Sequence, residues 1–192
     1  MSRLIRQNGK TAHRQADAAA GRAGFTLVEM LAVILIAAIL IASLFNGLTA
    51  ARQMAWRTRA RDTARQLVQA WNVYLNDNRA FPAKGQFGDA KTEGGYAATP
   101  ANLAPINPKD ENNLRVYIEL SAADRDDGLR DKWGNLLGFN LDFDYDGKVE
   151  NPAPEALGKS KDDANMALVQ ATAIAWSQGS NPEVKRKWVV QW

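Results

Sequence analysis

Cysteine is absent from the 192 residues, and histidine occurs once, at His13. Without thiols there is no disulfide, no thiolate nucleophile and no cysteine-bearing zinc or iron–sulfur site. If the N-terminal stretch is removed on maturation, the only imidazole goes with it. Ser-His-Asp and Cys-His catalysis and His-ligated metals are then excluded. Acidic residues are scarce at the front, where Arg3, Arg6, Lys10, Arg14 and Arg22 face Asp17 alone, a balance of +4. The remaining 168 residues carry 19 basic and 20 acidic groups, so the basic pI near 9.2 belongs to the leader. That placement predicts a cytoplasmic, positive-inside flank and no nucleic-acid partner. The length accommodates about one modest domain, which excludes a large multidomain enzyme.

What is abundant is apolar sequence in one place. Phe25 to Leu48 is 24 residues with a single charge, Glu29. At about 1.5 Å per residue such a helix crosses a hydrocarbon core of roughly 30 Å. A secretory signal peptide shares the outline, but its apolar region is shorter and the small-residue sites beyond this run, such as Leu48-Thr-Ala50, are weak. A buried core helix would need a larger protein around it. The segment is expected to be retained as a membrane span.

No proline or glycine interrupts residues 49–78, while Trp56, Ala60, Ala64, Leu67, Trp71 and Tyr74 or Leu75 recur at steps of three and four. Arg52, Arg57, Arg59, Arg61 and Arg65 occupy the intervening faces. This spacing predicts an amphipathic continuation of the same helix, ending near Asn76-Asp-Asn78 ahead of Phe81-Pro82. Residues 79–113, rich in Pro and Gly, are expected to be an extended loop region with one short helical turn. Strands are expected at Leu114–Leu120, Asn135–Leu141, Ala171–Trp176 and Lys187–Trp192. The expected fold class is α+β: a long N-terminal helix whose amphipathic second half packs on a small antiparallel β-sheet domain. The segments are 1–24, a basic N-terminal stretch; 25–48, membrane-spanning helix; 49–78, amphipathic continuation; and 79–192, globular domain.

The junction Gly24-Phe25-Thr-Leu-Val-Glu29 resembles the processing site of type IV prepilins and of the pseudopilins of type II secretion. The resemblance implies a type IV pilin-like fold and cleavage between Gly24 and Phe25 by a membrane-embedded aspartyl prepilin peptidase. It also implies methylation of the Phe25 amine and a role for Glu29 in assembly. The leader is long at 24 residues, which leaves the motif intact. Physical chemistry independently singles out Glu29, because a carboxylate near a membrane interior costs several kcal/mol unless paired. The Phe25 amine of a neighbouring copy would neutralise it and fix the axial register of two helices. An interfacial Glu that stays wet or protonated is the alternative.

A second constellation is Asp142-Phe-Asp144-Tyr-Asp146-Gly147-Lys148-Val-Glu150. Alternate aspartates before a glycine gather hard oxygen ligands as a calcium loop does. Asp142, Asp144 and Asp146 would be first, third and fifth ligands, the Lys148 carbonyl seventh and Glu150 ninth. Ala153 stands where an EF-hand needs a bidentate Glu, so a complete EF-hand is excluded. A looser calcium site, completed by Glu155, Asp162, Asp163 or water, competes with a plain acidic turn at Asp146-Gly147.

Third, Asp131-Lys-Trp133-Gly134-Asn135 and Trp176-Ser177-Gln-Gly179, with Trp192 at the end, look like the globular domain of major pseudopilins. Lys132 replaces the usual proline, and Lys185-Arg-Lys187 stands where that family commonly carries an acidic pair that can join a calcium site. Core packing is the expected role of Trp56 and Trp71, and Trp133, Trp176, Trp188 and Trp192 are expected to pack the sheet. The arginines of the helix suggest charge matching between subunits more than DNA uptake.

The resemblance implies a non-catalytic filament subunit, most like a major-type pseudopilin of type II secretion. Its partners would be copies of itself, minor pseudopilins, prepilin peptidase, membrane lipid and an inner-membrane assembly platform with its ATPase. Its place would be the inner membrane, single-pass, with the C-terminal domain in the periplasm or outside. A type IV pilus subunit is the near alternative. A membrane-anchored calcium- or carbohydrate-binding module that never polymerises, or a hydrolase using Asp126 with Asp131 or Asp142 with Asp144, are the distant ones.

Overall fold

The computed structural model describes residues 24–108, 115–157 and 167–191. The chain divides into two units, one ending at Phe45 and the other beginning at Asn46. Helix α1 (Leu27–Asn78) contributes its apolar part to the first and its amphipathic part to the second. It runs unbroken because nothing within it lacks an amide N–H or clashes with the preceding turn. It stops at Arg79, which adopts a left-handed backbone (φ 63°) while its N–H still donates to the Leu75 carbonyl at 2.8 Å. Two residues later Phe81-Pro82 forbids further helix.

In the second unit, the stripe read from sequence is the buried face. Ala64, Leu67 and Trp71 are fully buried and Ala60 nearly so, while Trp56, Tyr74 and Leu75 lie half-buried at its margins. This face covers a five-stranded antiparallel sheet in the order β1-β2-β3-β6-β7. The strands are β1 (Lys91–Thr92), β2 (Gly95–Ala97), β3 (Gly138–Leu141), β6 (Ala173–Ser177) and β7 (Val189–Gln191). A separate antiparallel pair joins β4 (Lys148–Glu150) to β5 (Leu168–Gln170). Trp71 stacks on Phe139 of β3 at 5.4 Å between ring centroids and meets Tyr74, Phe81 and Phe87 through edges or tilts.

Strand β6 is buried along its whole length because both faces of the sheet are covered. Ala173 and Ala175 point into the helix-side core, whereas Ile174 and Trp176 belong to a second core with Val149, Ala153 and Trp188. The period of two in a strand converts this alternation into two distinct cores. Gly95 and Gly138 make room for the Trp176 indole, and a Cβ on Gly95 would lie only 2.6 Å from that ring.

Several local expectations are corrected. Residues 115–120 form no strand; Ile118 and Leu120 do point inward, but the N–H groups of Tyr117 and Ile118 both donate to the Ile106 carbonyl instead of to a sheet. Alternation records burial, and burial needs no strand partner. Residue 114 and residues 109–113 lie outside the described residues, as does Trp192. The segment expected to be loop holds the β1–β2 hairpin, a 3-10 turn at Lys84–Gln86 and helix α2 (Pro100–Leu103), capped by Thr99. Helix α3 (Ala122–Asp127), capped by Ser121, and the β4–β5 pair are additions to the expected elements. Trp133 packs edge-on against Trp56 of the helix at 5.8 Å and donates to Gln53 at 3.2 Å, rather than packing the sheet.

Candidate functional site

Gly24, Phe25 and Thr26 precede the helix, and Phe25 is exposed. Thr26 is the residue that starts it. Its hydroxyl oxygen accepts from the Glu29 N–H at 3.2 Å, while Glu29 Oε2 accepts from both the Thr26 N–H and the Thr26 hydroxyl at 2.8 Å. This is a reciprocal capping box, which satisfies amides that the first turn of a helix leaves without partners. Thr26 is not among the residues singled out from the sequence, although Thr-x-x-Glu ahead of an apolar run is the signal for such a cap. Glu29 therefore has a local partner within its own chain, through one of its two carboxylate oxygens.

Behind this cap, Leu27, Val28, Leu31, Ile34, Leu35, Ile39, Leu40, Leu44 and Phe45 are all more than half exposed. The most apolar stretch of the helix has a mean hydropathy of 2.8 over 18 residues, none of it buried. Transfer of such side chains out of water is favourable by about 1.5–3 kcal/mol each, so this surface demands lipid or other helices.

The acidic segment forms a tight turn between β3 and β4. Asp142, Asp144 and Asp146 bring one carboxylate oxygen each within 4.8 Å of the others. Asp142 is buried; its two oxygens accept from the N–H groups of Asp146 (3.2 Å) and Gly147 (2.8 Å), and Asp146 accepts from the Lys148 N–H at 2.8 Å. Gly147 takes a left-handed backbone (φ 78°), which a glycine accepts without strain. Tyr145 does so too (φ 58°) and is held there: its ring stacks on Phe81 and its hydroxyl accepts from the Phe81 N–H at 2.8 Å. The three oxygens are hard donors of the kind calcium takes. Glu150 is on β4 and is not among the converging carboxylates, and Lys148 pairs with Gln170 across the hairpin. Glu155 sits on a 3-10 turn at Pro154–Leu157, and Asp162 and Asp163 lie outside the described residues.

The two tryptophan-bearing segments meet at Asp131. Its Oδ1 accepts from the N–H groups of Trp133 and Asn135, both at 2.9 Å, and its Oδ2 accepts from the Ser177 hydroxyl at 2.7 Å. Asn135 in turn donates to the Gly179 carbonyl at 2.8 Å. A buried carboxylate with this many donors holds the turn 131–135 against the end of β6. Beside it, a cleft of about 350 Å³ is lined by Arg59, Asp62, Gln66, Glu119, Asp124 and Lys132.

Residues 20–45, which hold the cap and the first part of the exposed apolar helix, match the prokaryotic N-terminal methylation motif. The chain thus carries the N-terminal signature of type IV prepilin-like proteins, and its long helix on an antiparallel sheet is consistent with the type IV pilin-like fold. Comparison with curated proteins and with solved structures returned no match. The motif implies processing as a prepilin and filament assembly in general terms, and with the exposed apolar helix it supports anchoring in a membrane.

Proposed function

We propose that this chain is a pseudopilin, the structural subunit of a pilus-like filament in type II secretion. Prepilin peptidase cuts it between Gly24 and Phe25, the Phe25 amine is methylated, and the apolar helix passes from the inner membrane into the core of a periplasmic filament. The observation that carries this reading is the methylation motif at residues 20–45, whose helical part is apolar and exposed. The capping box supports it by starting the helix two residues past the cut, so that the scissile bond is in non-helical chain. In the filament the Glu29 carboxylate, bound to Thr26 through one oxygen, offers the other to the amine of a neighbouring copy. Subunits of this kind work without catalysis of their own. They depend on minor pseudopilins and on an inner-membrane platform with its ATPase, since nothing in the chain resembles a phosphate-binding loop.

The Asp131–Asn135 turn bound to Ser177 and Gly179 favours the pseudopilin over a type IV pilus subunit, because those two segments are the ones that look like major pseudopilins. Calcium is proposed at Asp142, Asp144 and Asp146, with the Lys148 carbonyl, Glu150 or water completing the shell. Mass spectrometry of the protein purified from its membrane tests the central step. A chain beginning at methyl-Phe25 is expected; one that still begins at Met1 or Ser2 in cells with active peptidase refutes the proposal and leaves a non-polymerising anchor.

A further inference from the structure

The arginines of α1 fall on different flanks of its buried face. Arg59 lines the cleft with Glu119 and Asp124. Arg57, Arg61 and Arg65, spaced four apart, form a separate exposed stripe about 12 Å long. None of the three has an ion-pair partner among the described residues, where the ion pairs are Arg115–Asp77 and Lys185–Glu93. Like charges at this spacing repel one another, so the stripe is an unfavourable feature of the isolated chain.

The same chain carries its complement. Glu119 and helix α3 present Glu119, Asp124, Asp126 and Asp127 against Arg125 alone. Asp124 is engaged by the Ser121 hydroxyl at 2.6 Å, while Glu119, Asp126 and Asp127 are exposed and have no ion-pair partner among the described residues. Arg59 and Lys132 line the cleft with Glu119 and Asp124, which leaves Asp126 and Asp127 as the outward acids of the knob, and the chain forms no ion pair between this knob and the three arginines among the described residues.

We infer that the Arg57–Arg61–Arg65 stripe of one copy docks on the Glu119–Asp127 acidic knob of a second copy. The inference deepens, and rests on, the filament reading. Two different patches meet, so the first copy keeps a free knob and the second a free stripe. Such a head-to-tail contact propagates instead of closing on itself. Exposed ion pairs are individually weak, and three together amount to about a tenfold effect on association. The contact is therefore suited to selecting register and orientation, with the apolar helices supplying most of the attraction.

The chain's lack of cysteine gives a clean test. Full-length Arg61→Cys and Asp126→Cys chains are co-expressed with the assembly machinery and oxidised, with formaldehyde ladders of the parent chain run in parallel. A disulfide-linked dimer is expected from the mixture and from neither variant alone. In the ladder assay, Arg57→Glu/Arg61→Glu/Arg65→Glu is expected to lower multimers about tenfold, and adding Glu119→Lys/Asp126→Lys/Asp127→Lys to restore them. A parent ladder without the mixed disulfide and without that restoration overturns the docking while leaving the filament standing. Absence of the parent ladder overturns both. Loss of binding to phosphatidylglycerol vesicles on reversing the arginines, with no mixed disulfide, would assign the stripe to lipid and overturn the docking.

Discussion

Replacing Asp131 by alanine is the perturbation whose cost the structure defines best. The carboxylate accepts from two backbone N–H groups at 2.9 Å, from the Ser177 hydroxyl at 2.7 Å and from the Asn135 side chain at 3.3 Å. Ser177 is fully buried, so its hydroxyl loses the acceptor that Asp131 supplies. The two backbone donors are next to exposed Lys132 and Gly134 and are partly rehydrated. With about 1–3 kcal/mol for each orphaned buried donor and the lower end for the wetter pair, the sum is about 3 kcal/mol. For a unit of this size that corresponds to a fall in melting temperature of about 6–12 °C. Asp131→Asn keeps an acceptor for the backbone and should cost about 1 kcal/mol. Ser177→Ala in the Asp131→Ala background should cost less than it does in the parent chain, because the bond the two side chains share is already gone, but it still removes the acceptor of the buried Gly179 N–H at 3.0 Å. Tryptophan fluorescence of the full chain in detergent is the assay, since all six tryptophans lie between Trp56 and Trp192 and report on the second unit. A shift below about 2 °C for the alanine variant, or equal damage from asparagine and alanine, would refute the reasoning.

Other perturbations test other levels. Glu29→Leu should leave membrane insertion intact and abolish ordered filaments; normal filaments from this variant, seen by electron microscopy, would remove Glu29 from assembly. Thr26→Ala breaks the capping box and should lower helix stability by about 1 kcal/mol, read as amide exchange confined to the first turn of α1. Calcium should raise the melting temperature of the parent chain and not that of Asp144→Ala, and equal shifts for both would place the ion elsewhere. Gly138→Ala drives a Cβ into the Trp176 indole and should destabilise by about 1–3 kcal/mol in urea titration, whereas Gly85→Ala, with open space around it, should be neutral.

Much of the molecule is legible in the order of its residues. The long helix can be read because a 3.6-residue period without Pro or Gly over residues 49–78 has one physical outcome, and the uninterrupted apolar run ahead of it has another. The helix end is legible because Phe81-Pro82 excludes continuation. The short strands are not: β1 and β2 have two and three residues, too few to show a period, and are held by pairing with each other and with β3. Residues 115–120 mislead because alternation reports which side chains are inward and leaves open where the backbone N–H groups go; here they go to Ile106.

The sequence by itself determined the units that depend on neighbours along the chain: the methylation motif, the apolar helix and the amphipathic stripe, and it holds the Thr-x-x-Glu signal of the cap that the structure brings out. Only the tertiary structure decided that Asp131 meets Ser177, 46 residues away, and that Trp176 lies over Gly138. It also decided that Tyr145 clamps the acidic turn to Phe81, and that Arg59 has acids beside it while Arg57, Arg61 and Arg65 have no ion-pair partner among the described residues. Local periodicity and capping are settled by bonds within a few residues, whereas these contacts form only once the sheet folds onto the helix and closes long loops, and no short-range pattern encodes that closure.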